Sequence, residues 1–184
     1  MFARTKRLTL RPGWPEDAPA VLRAIGHEQV VRMLAKAPWP YRLADAESFL
    51  SHPRGAGEAS FLILSHEGGY PRPIGGIGLA PDEHGHELGY WLAPEAWGRG
   101  YATEAGQAVV AIARHALRLK RLHSGHFVDN PASGRVLQKL GFRPTGKVEG
   151  RYTSGRGAIA PCRLFELDLT ESADADPGTR AMAA

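Results

Sequence analysis

The chain has 184 residues, 43% of them hydrophobic and 23% charged, which suits one globular domain with a sizeable core and excludes disordered and fibrous classes. Its net charge of +4 favours an anionic ligand, but the 23 Lys and Arg residues are spread along the chain, which points to a small molecule rather than a nucleic acid. No apolar run approaches the ~18 residues of a membrane span. Cys162, the single cysteine, has no internal disulfide partner, and the basic start over residues 1–11 lacks a secretory apolar segment. A cytoplasmic monomer or homodimer that binds neither membrane nor nucleic acid is therefore expected.

Residues 7–11 alternate polar and apolar as a half-buried strand does, and Pro12-Gly13-Trp14-Pro15 ends the run. From Glu16 the period turns helical, with Ala20, Val21, Ala24 and Ile25 on one face, and a second apolar cluster follows at Val30, Val31 and Leu34. Pro38-Trp39-Pro40-Tyr41 interrupts with an aromatic-tipped loop, and residues 44–50 resume a helix that ends around residues 52–55. Strand patterns at 59–65, 73–80 and 86–93, separated by Gly68-Gly69 and by residues 81–85, suit an antiparallel meander.

A helix is expected over 102–119, carrying Ala105, Val109, Ile112, Ala113 and Ala116 one to two turns apart. Residues 122–128 then read as a strand. Residues 131–140 read as a helix with proline in its first turn and Gly141 at its end, and Phe142 opens another strand. Strand, helix, strand, helix in this order implies a locally parallel pairing. Residues 163–169 alternate as a final strand, and 171–184 are small and polar, as in a flexible tail.

The segment with chemical content is Trp97-Gly98-Arg99-Gly100-Tyr101-Ala102-Thr103-Glu104-Ala105, between a strand and the long helix. Two glycines let backbone N–H groups converge, and a helix N-terminus adds unsatisfied donors and a positive dipole end, which together cradle a pyrophosphate. The glycines alone fit equally well a turn that needs only positive φ. No Gly-Lys-Ser/Thr closes a Walker A loop, and the third glycine of a dinucleotide fingerprint is missing.

Further along stand Asp129-Asn130-Pro131-Ala132-Ser133 and Leu140-Gly141-Phe142. With Glu87-Leu88-Gly89-Tyr90-Trp91-Leu92 and the Trp97–Ala105 turn, they resemble the GNAT superfamily of N-acetyltransferases. More narrowly they are similar to the branch that contains the ribosomal-protein N-terminal acetyltransferases. The opening residues 5–12 and the loop Pro38-Trp39-Pro40-Tyr41 match that branch too, so the resemblance spans nearly the whole chain.

The resemblance implies an α/β (α+β) GNAT fold over residues 1–170: a mixed, mostly antiparallel, splayed sheet of about seven strands with about four helices. It also implies transfer of an acetyl group from acetyl-CoA, without a metal, directly to a primary amine of a protein N-terminus or a small molecule. The donor's pantetheine arm would enter between strands 86–93 and 122–128, on main-chain groups of Tyr90, Trp91 and Leu92. The pyrophosphate would lie on Trp97, Gly98, Arg99, Gly100, Tyr101, Ala102 and Thr103, and Asn130 would stand near the pantetheine.

Alternatives accompany these roles. Arg99 fits a solvated loop charge equally well, and Asn130 a helix N-cap before Pro131. Amine acylation needs a base and a thiolate acid. Glu87 is the base candidate, with a strand-end ion pair as the alternative. Relatives often place a tyrosine seven residues after the asparagine as acid; here Leu137 stands there, and Ser133 is the nearest substitute, although a first-turn serine also bonds backbone. Trp39 and Tyr41 would line the acceptor entrance, or else form a lid over the core. His84-x-His86 and His123-x-x-His126 lack a third-ligand cluster, so no metal is expected. A bulkier donor such as succinyl-CoA and a non-catalytic CoA-sensing module are the competing functions.

Overall fold

The computed structural model describes residues 1–55 and 57–170; the expected tail over 171–184 lies outside the described residues. Among these, the strands are β1 (Ala3–Arg4), β2 (Leu8–Arg11), β3 (Ala59–Ser65), β4 (Arg72–Asp82), β5 (Gly85–Leu92), β6 (Arg121–Phe127), β7 (Arg143–Thr153) and β8 (Ala158–Asp168). The helices are α1 (Ala18–Ile25), α2 (Glu28–Val31), α3 (Leu43–Ser51), α4 (Tyr101–Ala111) and α5 (Pro131–Lys139). The sheet order is β1-β2-β3-β4-β5-β6-β8-β7, antiparallel except between β5 and β6. The mixed, mostly antiparallel sheet follows the sequence expectation, with one strand and one helix more than the approximate counts.

Several boundaries move for physical reasons. The β4–β5 hairpin is tighter than residues 81–85 suggested, since Pro81 pairs with His86 inside it. Proline is tolerated there because β3 has already ended opposite Leu79, so no partner on that side needs the missing N–H. The helix expected over 102–119 starts at Tyr101 and widens into a π-helical turn over Ile112–Ala116, closed by Arg118 at a φ of 53°. β7 starts one residue after the expected Phe142, and it is largely exposed without a hydrophobic alternation, which is why its extent is not legible in the sequence.

The two larger of three buried clusters lie on opposite faces of the sheet. On one face α4 and α5 cover Leu8, Leu10, Phe61, Ile63, Leu79, Leu88 and Leu122. On the other face α1 and α3 cover Leu62 and Leu64 with Val21, Ile25, Ala46 and Leu50. Period-2 alternation along β3 sends successive side chains to the two cores. Close contact of α4 with α5 depends on Gly106, where a Cβ would come within 2.5 Å of Leu140 Cδ1.

Between β5 and β6 the pairing consists of a single register match, Glu87 with His123. β5 then diverges from β6, and each turns to other partners: β5 runs along β4 to Leu92, while β6 runs along β8 to Phe127. The opening this leaves is where the functional groups collect.

Candidate active site

A cavity of about 1260 Å³ passes through this opening. One arm faces α4 and α5 and is lined by Gly98, Gly100, Thr103, Asn130 and Ser133; the other faces α1–α3 and is lined by Met33, Leu34, Tyr41, Phe49, Trp91 and Arg151.

The main chain of β5 alternates between its two neighbours. Ala93 N–H donates to Ile74 O of the β4 side at 2.8 Å. Leu88 O instead accepts from Ser124 Oγ of β6 at 2.7 Å, and Leu92 O from Trp97 Nε1 at 2.9 Å. By this alternation the N–H and C=O of Tyr90 face the opening and those of Trp91 face β4. The expectation that main-chain groups of Tyr90, Trp91 and Leu92 all point to a ligand is thus corrected for Trp91, which serves the β4 ladder; Leu92 keeps its N–H toward the opening, while its O accepts from Trp97. The indole of Trp91 lies on the other face, against Gly76, where a Cβ would sit 2.6 Å from its Nε1.

At the turn before α4, Gly98 and Gly100 have φ of 71° and 79°, the left-handed region that glycine enters without strain. Gly100 is the N-cap of α4 and gives its first turn no side-chain cap. The first-turn N–H groups of Tyr101, Ala102 and Thr103 have no acceptor earlier in the helix and border the cavity. An uncapped helix start behind two left-handed glycines fits a diphosphate.

The side chains around this turn hold it in place. Arg7 Nε donates to Glu104 Oε2 at 2.7 Å, Thr5 Oγ1 to Glu104 Oε1 at 2.6 Å, and Arg7 to the carbonyl of Arg99 at 3.0 Å. The Tyr101 hydroxyl donates to Glu67 at 2.5 Å, and Arg99 pairs with the same carboxylate. Tyr101 is 1% exposed, with the guanidinium groups of Arg7 and Arg99 4.6 and 5.1 Å from its ring centroid. Its side chain is thus a core and buttress group. The bond from Tyr101 is the main influence holding Glu67 below the usual carboxylate range. Glu104 is also lowered: burial pushes it up, but the bonds from Thr5 and Arg7 outweigh it. Arg99 does not border the cavity; its charge is spent on Glu67. Sequence reasoning missed the roles of Thr5, Arg7, Glu67 and Glu104, whose partners are distant in the chain.

Across the opening, Asn130 caps α5: its Oδ1 accepts from Ser133 N–H at 3.3 Å, and Pro131 occupies the first helical position. Ser133 lies in that first turn, and its Oγ is 2.7 Å from the Tyr90 hydroxyl, which also donates to Ser133 O at 3.0 Å. Burial pushes the Tyr90 phenol up to about 12, with the Ser133 bond acting the other way, so it stays protonated at neutral pH. Leu137 is fully buried in the core. A phenol therefore reaches the first turn of α5 from β5 rather than from position 137.

Glu87, at the apex of the opening, is held by Arg151, which reaches back from β7 across β8 and β6. Burial works against the Arg151 charge, but the bond and attraction from Glu87 outweigh it and raise its pKa. Tyr41 borders the cavity, half-buried, and burial raises its phenol to about 12. Trp39 does not join it: it is 42% exposed and borders a separate shallow recess with His27 and Arg32. The expected pairing of Trp39 with Tyr41 at one entrance is corrected accordingly, because Pro40 and the chain reversal send the two rings apart.

The histidines scatter. His123 bonds Asp82 at 3.0 Å with His84 edge-on, whereas His126 packs on Phe165 of the opposite face. Among the described residues no group of three or more His, Cys, Asp or Glu could hold a metal ion.

A splayed β5/β6 pair, a glycine turn before α4 and a capped α5 facing it define an acyl-CoA-dependent transferase. The profile described as "Acetyltransferase (GNAT) domain" matches residues 7–143. The N-acetyltransferase YoaA of Bacillus subtilis (strain 168), itself uncharacterized, is 33% identical over 174 residues, covering 89% of this chain and 94% of that protein. A GNAT-family acetyltransferase from Bacillus anthracis superposes with a TM-score of 0.80 at 24% identity, over 93% of this chain and 100% of that one. The ribosomal-protein-S5-alanine acetyltransferase from Vibrio fischeri superposes at 0.75 and 17% identity, over 93% and 98%. The chain belongs to the GNAT family of N-acetyltransferases.

Proposed function

We propose that the enzyme transfers the acetyl group directly from acetyl-CoA to a primary amine, of a protein N-terminus or a small molecule, with both substrates bound in the opening between β5 and β6. The observation that carries this reading is the juxtaposition of the uncapped α4 start, the free main chain of Tyr90 and the Ser133 hydroxyl on one arm of the cavity, with Glu87 at its apex. Gly98–Thr103 N–H groups hold the diphosphate, Tyr90 N–H and C=O the pantetheine, and Asn130 fixes the first turn of α5.

The amine nitrogen attacks the thioester carbonyl, the C–N bond forms and the C–S bond breaks. The surplus amine proton passes through water to Glu87. Ser133 Oγ donates its proton to the departing sulfur, and the Tyr90 hydroxyl, 2.7 Å from it and donating its own proton to Ser133 O, holds that serine at the opening. The Arg151 guanidinium orients the Glu87 carboxylate until the amine arrives. The protein is read as cytoplasmic, and no helix of the described residues is long and apolar enough to cross a membrane.

The test combines initial-velocity patterns with Glu87→Gln. Intersecting lines for acetyl-CoA and amine are expected, as is a loss of about 10²-fold in turnover with CoA affinity unchanged. Parallel lines with an acetylated Cys162 would replace direct transfer by a covalent route. An unchanged rate in Glu87→Gln would remove that residue from the mechanism.

A further inference from the structure

The arm of the cavity that faces α1–α3 differs from the diphosphate arm in one respect that bears on the acceptor: its carboxylates already have partners. Asp45 Oδ2 accepts the N–H of Arg42 at 2.7 Å, closing the start of α3. Glu58 accepts from Arg54 at 3.1 Å and from Gly55 N–H at 3.2 Å. Glu87 is paired with Arg151. Glu58 and Glu87 are matched by arginine cations, whereas the backbone donor on Asp45 leaves its charge in place at the start of α3.

The wall between these pairs is apolar. Met33, Leu34, Tyr41, Phe49 and Trp91 border this arm, all of them only partly buried by the protein itself. The β7–β8 hairpin fixes this wall: Thr153 Oγ1 donates to Leu34 O at 2.8 Å, and Ser154 N–H to Ala35 O at 2.9 Å. Arg156 extends the clamp, donating to Arg32 O at 2.6 Å and to both Asp129 oxygens at 2.9 and 3.0 Å. Partly exposed aromatic and thioether groups on a fixed concave wall gain most when a ligand covers them with apolar surface.

We infer that the acceptor is a primary amine carrying an aromatic or branched apolar substituent. This rests on the reading of the cavity as the acetyl-transfer site. The amine nitrogen enters at Glu87, and the substituent lies against Tyr41, Phe49 and Trp91. The same chemistry is offered by a free arylalkylamine and by a peptide whose first residue is aromatic.

The experiment follows thiol release at saturating acetyl-CoA with phenethylamine, phenylalanyl-glycinamide, n-butylamine and spermidine, alongside CoA binding by calorimetry. The expected result is kcat/KM for one or both aromatic amines at least about tenfold above butylamine, and spermidine no better than butylamine. The better of the two aromatic arms identifies the source. Phe49→Ala should raise KM for the aromatic amine about tenfold while CoA affinity stays unchanged. Spermidine turning over as well as the aromatic amines, or butylamine matching them, overturns the inference and leaves the transfer site intact. CoA binding without thiol release from any amine overturns the underlying reading.

Discussion

The hydroxyls of Tyr90 and Ser133 stand 2.7 Å apart across the open side of β5, joining the strand proposed to present the thioester to the helix proposed to protonate its sulfur. Ser133→Ala is expected to lower kcat by about 10²-fold with little change in KM for acetyl-CoA. Tyr90→Phe keeps the serine but removes the hydroxyl that holds its turn, and one neutral hydrogen bond of about 1 kcal/mol corresponds to a loss of about fivefold. Steady-state kinetics of both variants check this. An unaltered kcat in Ser133→Ala would show that the thiolate leaves unaided.

The diphosphate turn gives a prediction that isolates backbone conformation. Gly98 has a φ of 71° and open space where a Cβ would stand, so Gly98→Ala introduces strain without a clash. A left-handed L-residue costs roughly 1–2 kcal/mol. The variant escapes that strain by leaving the left-handed region, which turns its N–H away from the diphosphate, and the CoA dissociation constant should rise about tenfold. Calorimetric titration of CoA, and loss of the thermal shift that CoA produces, would show it. Unchanged affinity would mean that the turn does not hold the diphosphate.

Helix α5 approaches the sheet over Gly134, where a Cβ would come within 2.6 Å of His126 Nε2 and 3.1 Å of its Cδ2. His126 is 8% exposed and its ring rests on Phe165, so it has little room to yield. Gly134→Ala should therefore cost about 1–3 kcal/mol, lower the melting temperature by several degrees, and weaken the Tyr90–Ser133 contact by lifting the first turn of α5. A thermal melt read together with kcat tests both effects. A variant with wild-type melting temperature would show that α5 accommodates the methyl group without moving.

Tyr41 and Tyr90 make stability depend on alkaline pH. Burial raises both phenols from 10.0 to about 12. Below pH 10 both states are protonated and the groups contribute no pH dependence. Between pH 10 and 12 the unfolded chain ionises them while the fold keeps them neutral, so the unfolded state gains and stability falls as pH rises. For Tyr90, the more deeply buried, the loss approaches about 2 kcal/mol by pH 12; for the half-exposed Tyr41 it is smaller. Urea unfolding from pH 9 to 12 should show a shallower decline in the Tyr41→Phe, Tyr90→Phe double variant than in the wild type.

What the sequence determined by itself is local. The strand-like runs at residues 59–65 and 122–128, the helical period after Tyr101, proline after Asn130 and the two glycines around Arg99 each act through neighbours a few residues away, so element types and the glycine turn were readable in order. Asn130 proved to be the N-cap its local pattern allows. The pairings that make a site were decided by tertiary structure. Tyr90 meets Ser133 from 43 residues away, Arg151 meets Glu87 from 64, and Arg7 meets Glu104 from 97. No periodicity encodes such contacts, because they arise only when strand order brings β5 near α5 and sets β7 beyond β8, from where Arg151 reaches Glu87. The same holds for the separation of Trp39 from Tyr41, two residues apart in the chain yet in different recesses, and for the turn of Trp91 toward β4, which follows from register and not from residue type.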